Sequence, residues 1–563
     1  MPCLTRTDMF AQYELAEEPL HDFGVGGVPA QYASGHPKCW SSDVSFLDFA
    51  ADAKAEAGAV QSYSSAISPD NKLLAIGTVG DRILIYDINS QELRQVLAGA
   101  GFLEFRPEVY GEESTTGEEK GSKTGRPAYT LVSGVSYKQS RVERRPSQLI
   151  LWDLDQHGCT LDEEEPIDPD FFAQKAIEAI TPKLVAKHEW TKSFIDASIM
   201  HKEFSETIRK TAADHGRRHN VIFDDAKPGG FGSSSFSSDG KLLLYHSTNN
   251  TTQHGMREAS KLPHLVLFDI DAGKETYRLS GHTDAIMWSA FSFDGNHVAS
   301  VSWDGTMRMY AVHTGELEWV TENSGGQSWA GAFSSDSRHI VWSSKSGRIV
   351  EVLKVADGQK VATFGGNFTN WCRCLAWHPT RNEIALCADK QAFIWSPFEG
   401  SDGKIWQHFQ IGDTENVWLK SCMVEIHSVS WLDGGRLLGL EISEGSKIVY
   451  DTQSNTKELF KRPKGVAAAY VNRSLYGPLQ TRDQADFYLS VDGDGKARYW
   501  RVSIPSYPSW WDKEKVSAED EQRIYPETGK YVKVVKKVKG ESQKGEHSQQ
   551  TWAEKGADLW TAQ

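Results

Sequence analysis

The chain repeats one pattern of apolar and polar positions about eight times. An apolar run ends in a Ser-x-Asp-Gly-like turn, a second apolar run and a polar turn follow, and a third run closes on an aromatic residue. The clearest copy, AIMWSAFSFDGNHVASVSWDGTMRMYAVHTGELEWV, extends from Ala285 to Val320. Short apolar runs separated by Gly, Asp, Asn and Ser predict strands and turns. Self-similarity at a period near forty residues predicts a repeat architecture.

The copies align on the large apolar residue that precedes the first turn. These residues are Ile67, Phe105, Phe236, Phe291, Phe333, Trp377, Trp431 and Tyr470. The third strands align as well, and they begin at Arg82, Gln148, His264, Thr306, Arg348, Ala392, Lys447 and Lys496. Steps such as Phe291 to Phe333 match the roughly 40 to 45 residues of one four-stranded propeller blade.

Four of the third strands end in an aromatic residue followed by Asp, at Tyr86-Asp87, Trp152-Asp153, Phe268-Asp269 and Tyr450-Asp451. With Gly281-His282 before the fourth copy, the chain resembles the WD-repeat (WD40) β-propeller family over roughly Ser42 to Ser503. The resemblance implies an all-β fold, a single β-propeller of four-stranded antiparallel blades. Eight copies favour eight blades over seven, although both occur. Ring closure removes exposed sheet edges, and SDVSFLDFA, Ser42 to Ala50, is the candidate closing strand.

The resemblance also implies a role for several polar residues. In that family a His, a Ser or Thr, an Asp and a Trp form a buried hydrogen-bond network within a blade. The fourth copy supplies His282, Ser300 or Ser302, and Asp304, with Tyr310 where Trp would stand. We expect these residues to hold the blade together and to take no part in catalysis.

Three stretches depart from the repeat. Residues 1–41 form an N-terminal extension, 42–503 the propeller and 504–563 a partly disordered C-terminal extension. Residues 111–126 have no large apolar side chain, which predicts a disordered loop. Residues 160–216 predict a helical insertion with one apolar face, which packs either on the propeller wall or in a partner's groove.

The composition of the chain argues against some classes of function. A formal net charge of −15 argues against a general nucleic-acid binder. The exception is the tail, where Lys530, Lys533, Lys536, Lys537 and Lys539 are either solvated charge or a contact to nucleic acid or an acidic surface. The chain has neither a signal-peptide core nor an apolar run of the ~18–20 residues that cross a bilayer, so no membrane association is predicted.

Cysteine usage points to a reducing compartment. The seven Cys are odd in number, which predicts reduced thiols in a cytoplasmic or nuclear protein. Cys372, Cys374, Cys387 and His378 can be drawn as a metal site, but their placement on neighbouring strands favours buried thiols. We therefore predict no metal and no cofactor.

The chain has no strong catalytic motif. The segment from Gly326 to Ser328 resembles a nucleophile elbow, but Ala330 replaces the second Gly. We predict a non-catalytic scaffold that binds other proteins through the propeller face, the helical insertion or the tail. The candidate anchors on that face are aromatic: Trp303, Trp329, Phe368, Trp371 and Trp418. The alternatives are an enzyme or small-ligand binder that uses the central channel, and a chromatin or nucleic-acid adaptor that uses the tail.

Overall fold

The computed structural model describes residues 19–25, 27–33, 43–53, 62–78, 82–99, 101–107, 127–135, 147–160, 220–247, 262–366, 368, 370–400, 403–412, 424–460, 474–481 and 484–502. The predicted loop 111–126, the insertion from residue 161 to 216, the C-terminal extension with its lysines, and Trp418 lie outside these residues.

Within the described residues the strands form eight antiparallel blades of four strands each, arranged as a propeller, and one blade carries an additional parallel strand at its outer edge. The prediction of eight blades is confirmed, and the alternative of seven is wrong. First strands of neighbouring blades contact one another, for example β5 (Ser62–Ile67) and β9 (Leu103–Phe105), which places them around the axis. Fourth strands are the exposed outer edges, as in β16 (Lys274–Leu279).

The N-terminal elements and blades 1 to 4 have the following bounds. They are β1 Gly24–Val25, β2 Val28–Pro29, β3 Gln31–Tyr32, β4 Asp43–Asp48 and helix α1 Ala50–Ala53; blade 1, β5 Ser62–Ile67, β6 Leu73–Thr78, β7 Arg82–Asp87 and β8 Leu93–Ala98; blade 2, β9 Leu103–Phe105, β10 Tyr129–Val135, β11 Gln148–Leu154 and β12 Asn220–Asp224; blade 3, β13 Ala226–Lys227, β14 Leu242–Ser247, β15 Leu265–Asp269 and β16 Lys274–Leu279; blade 4, β17 Ile286–Phe291, β18 His297–Ser302, β19 Met307–Ala311 and β20 Leu317–Val320.

Blades 5 to 8 continue the order. They are blade 5, β21 Gly331–Phe333, β22 His339–Ser344, β23 Ile349–Lys354 and β24 Lys360–Thr363; blade 6, β25 Cys374–Trp377, β26 Ile384–Ala388, β27 Gln391–Ser396 and β28 Lys404–Gln410; blade 7, β29 Ile426–Leu432, a 3₁₀ turn Asp433–Gly435, β30 Leu437–Ile442, β31 Lys447–Asp451 and β32 Thr456–Phe460; blade 8, β33 Leu475–Thr481, β34 Gln484–Val491 and β35 Lys496–Arg501.

The third strand of every blade lies where its repeat places it. The first strand of blade 8 lies later in the chain than its repeat predicts. The alignment on Tyr470 is wrong there, because β33 begins at Leu475 and Tyr470 lies outside the described residues. Blade 8 obtains its fourth strand from β4, which pairs antiparallel with β35. The closing strand predicted for Ser42 to Ala50 is thereby confirmed.

Four blades share one hydrogen-bonded turn between their first two strands. The Ser hydroxyl donates to the Asp two residues on, over 2.5–2.7 Å, at Ser68/Asp70, Ser237/Asp239, Ser292/Asp294 and Ser334/Asp336. The Asp in turn accepts the backbone N–H two residues further along. The turn requires one residue with a left-handed backbone conformation. This residue is a glycine in two copies, Gly240 and Gly295, and Asn71 and Ser337 take the same position in the other two.

Neighbouring blades are joined by apolar clusters and by hydrogen bonds. One cluster unites blades 4 and 5 through Trp288 and Trp342, and another unites blades 1 and 8 through Tyr86 and Tyr499. Sheets packed face to face in this way bury both of their surfaces, which explains strands such as β6 that are buried at every position.

Blade 4 contains the network that the repeat predicted, with Ser300 as the hydroxyl partner. His282 Nδ1 lies 2.8 Å from Asp304 Oδ2, and His282 Nε2 lies 2.8 Å from Ser300 Oγ. Burial lowers the pKa of His282, so a neutral imidazole donates from Nδ1 and accepts the Ser300 hydroxyl at Nε2. Burial raises the pKa of Asp304, but hydrogen bonds led by that from His282 hold it below its ordinary value.

Of the other two residues assigned to this network, Ser302 has a different partner, and Tyr310 has a second partner besides Ser300, which also interacts with its hydroxyl. The Ser302 hydroxyl donates to the Asp284 carbonyl, and Tyr310 donates to the Ser280 carbonyl over 3.1 Å. Blades 2 and 8 keep the Trp–Ser part of such a network, with Trp152 donating to Ser133 and Trp500 to Ser490, each over 2.9 Å.

We predict that Ser300→Ala lowers the stability of the propeller by about 1 kcal/mol, because His282 loses a buried hydrogen-bond partner. The thermal midpoint followed by circular dichroism measures this loss. Ser335→Ala, at an exposed position of the next blade, is the control and leaves the midpoint unchanged. Equal midpoints for both variants would contradict the role given to the network.

The shared turns predict a dependence of stability on acid. Partial burial raises the pKa of Asp294, but hydrogen bonds, led by that from Ser292, bring it below its ordinary value. A carboxyl with a lowered pKa in the folded state stabilises the fold above its unfolded pKa, near 3.9, and this contribution disappears as the pH falls through the folded value.

Asp294→Asn should therefore lower the thermal midpoint clearly at pH 7 and less at a pH below about 3.9, where part of this contribution has been lost. Glu322, at an exposed position, supplies the control variant Glu322→Gln. A midpoint difference between Asp294→Asn and wild type that is the same at both pH values would refute this account.

Candidate functional site

Three of the predicted aromatic anchors come together at one face of the ring. Trp303 lies in the turn between β18 and β19, Trp329 lies just before β21, and Trp371 lies just before β25. In an antiparallel blade, the turn between the second and third strands and the start of the first strand are at the same end. Residues from three consecutive blades therefore share one surface.

Trp329 is the centre of this group. Its ring centroid lies 5.2 Å from Trp303 in an edge-on arrangement and 5.2 Å from Trp371 in a stack with an interplanar angle of 12°. Phe231, from the segment between β13 and β14, meets Trp329 edge-on at 5.4 Å. We name Phe231, Trp303, Trp329 and Trp371 the tryptophan platform. Trp329 is 7% exposed and Trp371 is 38% exposed, so Trp371 is the part that a partner can reach.

Arg373 adds a cation to the platform. Its guanidinium carbon lies 4.3 Å from the Trp371 ring centroid and 5.0 Å from that of Trp329. Contacts of this kind contribute about 0.5–2 kcal/mol, more when they are desolvated. Burial lowers the pKa of Arg373, while Glu425 raises it. An arginine nevertheless remains charged at any physiological pH.

The platform carries hydrogen-bond donors that no described residue satisfies. They are the buried indole Nε1 atoms of Trp303 and Trp329 and the buried Nε of Arg373. Arg and Trp side chains donate and do not accept. Because these three atoms are buried, a ligand meets instead the exposed Trp371 ring and the half-buried Arg373 side chain. These suit a ligand that brings apolar contact area together with carbonyl or carboxylate oxygens. They do not suit a cationic guest, because Arg373 already lies over the rings.

Backbone contacts with the neighbouring blade position the exposed end of the platform. The Cys372 N–H donates to the Gly347 carbonyl over 2.8 Å, in the turn between β22 and β23. Gly347 has a φ of 70°, and a Cβ there would lie 3.0 Å from the Trp371 Cβ. Cys372 is buried, so Trp371 and Arg373 on either side of it face the same way along the extended chain.

The structure separates the remaining predicted anchors from this group. Phe368 stacks on Phe364 at 5.2 Å and packs against Phe393, within the interface of blades 5 and 6. Trp418 lies outside the described residues. Sequence reasoning did not include Arg373 and Phe231. The alternation of Trp371, buried Cys372 and Arg373 at the start of a strand was the signal that could have identified the arginine.

Other polar groups are engaged within the fold. The His282, Asp304 and Ser300 arrangement resembles a hydrolytic triad, but Ser300 is fully buried and its hydroxyl is not accessible to a substrate. A small cavity between blades 7 and 8 is lined by His427, Glu441 and Lys447 among others. In it the Lys447 Nζ lies 2.7 Å from Asp492, and Ser474 donates to Glu441 over 3.1 Å.

Of the predicted thiols, Cys374 and Cys387 lie between blades 6 and 7, whereas Cys372 packs in the apolar cluster of blades 5 and 6. Cys374 and Cys387 face each other on β25 and β26, and Cys374 Sγ accepts the Val429 N–H over 3.3 Å. Among the described residues, no group of three or more His, Cys, Asp or Glu side chains is placed to hold a metal ion. In the same part of the chain no helix is long and apolar enough to span a membrane.

Comparison with known proteins supports the repeat assignment. The family model described as "WD domain, G-beta repeat" matches residues 273–310 and 358–396. The Lissencephaly-1 homolog of Caenorhabditis briggsae is 26% identical over 120 residues, which are 21% of this chain and 30% of that protein. The crystal structure of the computationally designed Ika8 protein matches with 14% identity and a TM-score of 0.43, over 79% of this chain and 98% of that one.

These repeat matches and the eight blades support the resemblance to the WD-repeat β-propeller family. The match to the Lissencephaly-1 homolog spans less than a third of that protein. WD-repeat propellers generally mediate protein–protein interactions.

Proposed function

We propose that this protein is a non-catalytic scaffold that binds a protein partner through the tryptophan platform and Arg373. The observation that carries the proposal is the stack of Trp371 on Trp329 with the Arg373 guanidinium against both rings. Trp and Arg are the residues in which binding energy is concentrated at protein interfaces. A rigid ring supports them, so little conformational entropy is lost when a partner docks.

The Arg373 guanidinium, a hydrogen-bond donor, restricts the chemistry of the partner surface. A segment with an acidic or carbonyl-rich stretch beside an apolar side chain would supply acceptors to Arg373 and contact area to Trp371. The formal net charge of the chain is −15, so Arg373 is a local cation on an acidic protein. Acidic partners will be repelled by the rest of the surface, which makes the arginine a determinant of where they bind.

The protein works, in this proposal, in the cytoplasm or the nucleus, where its thiols stay reduced. The helical insertion and the basic tail stay predictions as further contact regions. The described residues offer no separate observation in favour of the channel enzyme or the nucleic-acid adaptor.

The test compares substitutions at two tryptophans of the same blade, Trp371 and Trp406. Trp371→Ala combined with Arg373→Ala should weaken binding of the platform's partners by at least about 30-fold, the equivalent of about 2 kcal/mol at a hot spot. The matched control is Trp406→Ala, since Trp406 is 46% exposed on β28 and has Lys404 over its ring at 3.2 Å.

Quantitative affinity purification from cells with each variant identifies the partners and measures their recovery. We expect the double variant to lose a defined set of proteins that wild type and Trp406→Ala both retain, with equal thermal midpoints. An unchanged set in the double variant would remove the platform as the binding site. Loss in both variants would mean that the tryptophans act through stability.

A further inference from the structure

Residues 20–25 and 27–33 lie across the outer edges of blades 6 and 7, and we name them the strap. β3 pairs in parallel with β32, which makes blade 7 a five-stranded sheet. Upstream, His21 forms an antiparallel bridge with Gln410, in the outer strand β28 of blade 6. The N-terminal extension expected from the sequence is therefore, in this part, an ordered element on the propeller wall.

The ring does not need the strap in order to close. Blade 7 has four strands of its own, and blade 8 is completed by β4. The strap is therefore an addition to a finished propeller, and it occupies a groove that the outer strands of two blades already form.

Asp22 is the charged anchor of the strap. Its carboxylate lies 2.6 Å from the Lys457 ammonium and accepts a hydrogen bond from the Tyr450 hydroxyl. The side chains of Asp22 and Lys457 are 6% and 2% exposed, so the pair is removed from water. Burial of an ammonium is costly unless a carboxylate accompanies it. The groove is thus built around a lysine that selects for an acid.

Phe23 is the apolar anchor, directly beside Asp22. It is 2% exposed and packs edge-on against Tyr450 at 4.9 Å and against Phe409 at 5.7 Å. Tyr450 therefore touches both anchors. An acid followed by an aromatic residue fits the site, whereas the reverse order would bring the ring to the lysine.

Backbone hydrogen bonds hold the rest of the strap. The Ala33 N–H donates to the Lys457 carbonyl over 3.0 Å, and the Gln31 N–H donates to the Asn455 carbonyl over 2.8 Å. At the other end the Gln410 N–H donates to the His21 carbonyl over 2.8 Å. Leu20 and Val28 are 60% and 54% exposed. Such strand addition supplies affinity through the backbone, while pockets supply specificity.

Directly after Phe23 the strap folds into a β-hairpin, in which β1 pairs with β2 and the Ala30 N–H donates to the Phe23 carbonyl over 2.8 Å. From this geometry we infer that the outer groove of blades 6 and 7 is a peptide-recognition site for segments with an Asp-Phe pair followed by a hairpin, filled in cis by the strap. The site is separate from the tryptophan platform, which lies at the inner strands, and it does not depend on the proposed function. A segment of the same chemistry in another chain would compete with the strap for the groove.

The experiment opens the groove in the full-length protein and offers the strap back as a separate peptide. The variant carries Asp22→Ala and Phe23→Ala, and the probe is a fluorescein-labelled peptide of residues 19–33, PLHDFGVGGVPAQYA. By fluorescence anisotropy, we expect saturable binding to the variant. We expect at least tenfold weaker binding to wild type, where the tethered strap competes at a high effective concentration.

Two controls isolate the anchors. The same peptide with both anchors replaced by Ala should bind neither protein. Full-length Val28→Ala, altered at an exposed strap position, should bind the wild-type peptide as weakly as wild type does. Asp22→Asn alone, a near-isosteric change, should give the same direction of effect and provides the test if the double variant does not fold.

The inference is overturned if a variant with a native circular dichroism spectrum does not bind the peptide. It is also overturned if the wild-type and anchor-free peptides bind equally, or if wild type and variant bind the peptide with the same affinity. None of these outcomes bears on the platform, because Trp371 and Arg373 are unchanged in every protein used.

Discussion

The structure depends on the pairing of β4 with β35, which joins the N-terminal part of the chain to the last blade. Ala497 pairs with Leu47, and Lys496 pairs with Asp48. The following residues extend the closure to blade 1, since Asp52 in α1 accepts a hydrogen bond from Tyr86 over 2.7 Å. Tyr499 of blade 8 also donates to the Ile88 carbonyl over 2.9 Å. Leu47, Phe49 and Ala53 belong to the apolar cluster that joins blades 1 and 8, so loss of this pairing would uncover part of that cluster and leave β35 as an exposed sheet edge.

Closure explains why the two proposed binding surfaces are so different. At the inner strands, three successive blades bring together side chains that are far apart in the chain, and the result is a compact aromatic surface with one cation. At the outer strands of blades 6 and 7 the backbone groups of the sheet edges pair with the strap. The platform can therefore recognise side chains, whereas the groove recognises backbone together with two anchors.

The blades differ in how they stabilise their interiors. Blade 4 uses the neutral His282 with Ser300 and Asp304, which brings only one charge into the interior. Blades 7 and 8 use ion pairs instead: Arg436 contacts Asp451 at 2.8 Å, and Arg498 contacts both Asp492 and Asp494. A buried charge destabilises the fold unless the side chain of opposite charge is buried beside it. Blades 7 and 8, which pair with the strap and the closing strand, therefore rely on buried ion pairs in their packing. Lys457 and Asp22 form another such buried pair.

The sequence alone was sufficient for the all-β propeller, the number of blades, the position of all eight third strands, the Ser-x-Asp turns and the closing strand. The strands and turns follow from periodicity, which is a property of neighbouring residues. The propeller followed from the resemblance to the WD-repeat family, and the closing strand from the need to cover a sheet edge. Only the tertiary structure decided that Ser300 and not Ser302 binds His282, that Trp303, Trp329 and Trp371 meet while Phe368 packs elsewhere, and that Arg373 joins them. It alone placed the first strand of blade 8 beyond Tyr470 and Asp22 beside Lys457, over 400 positions away. The physical reason is that side-chain partners across blades are set by ring closure and by sheet twist, which no local pattern encodes.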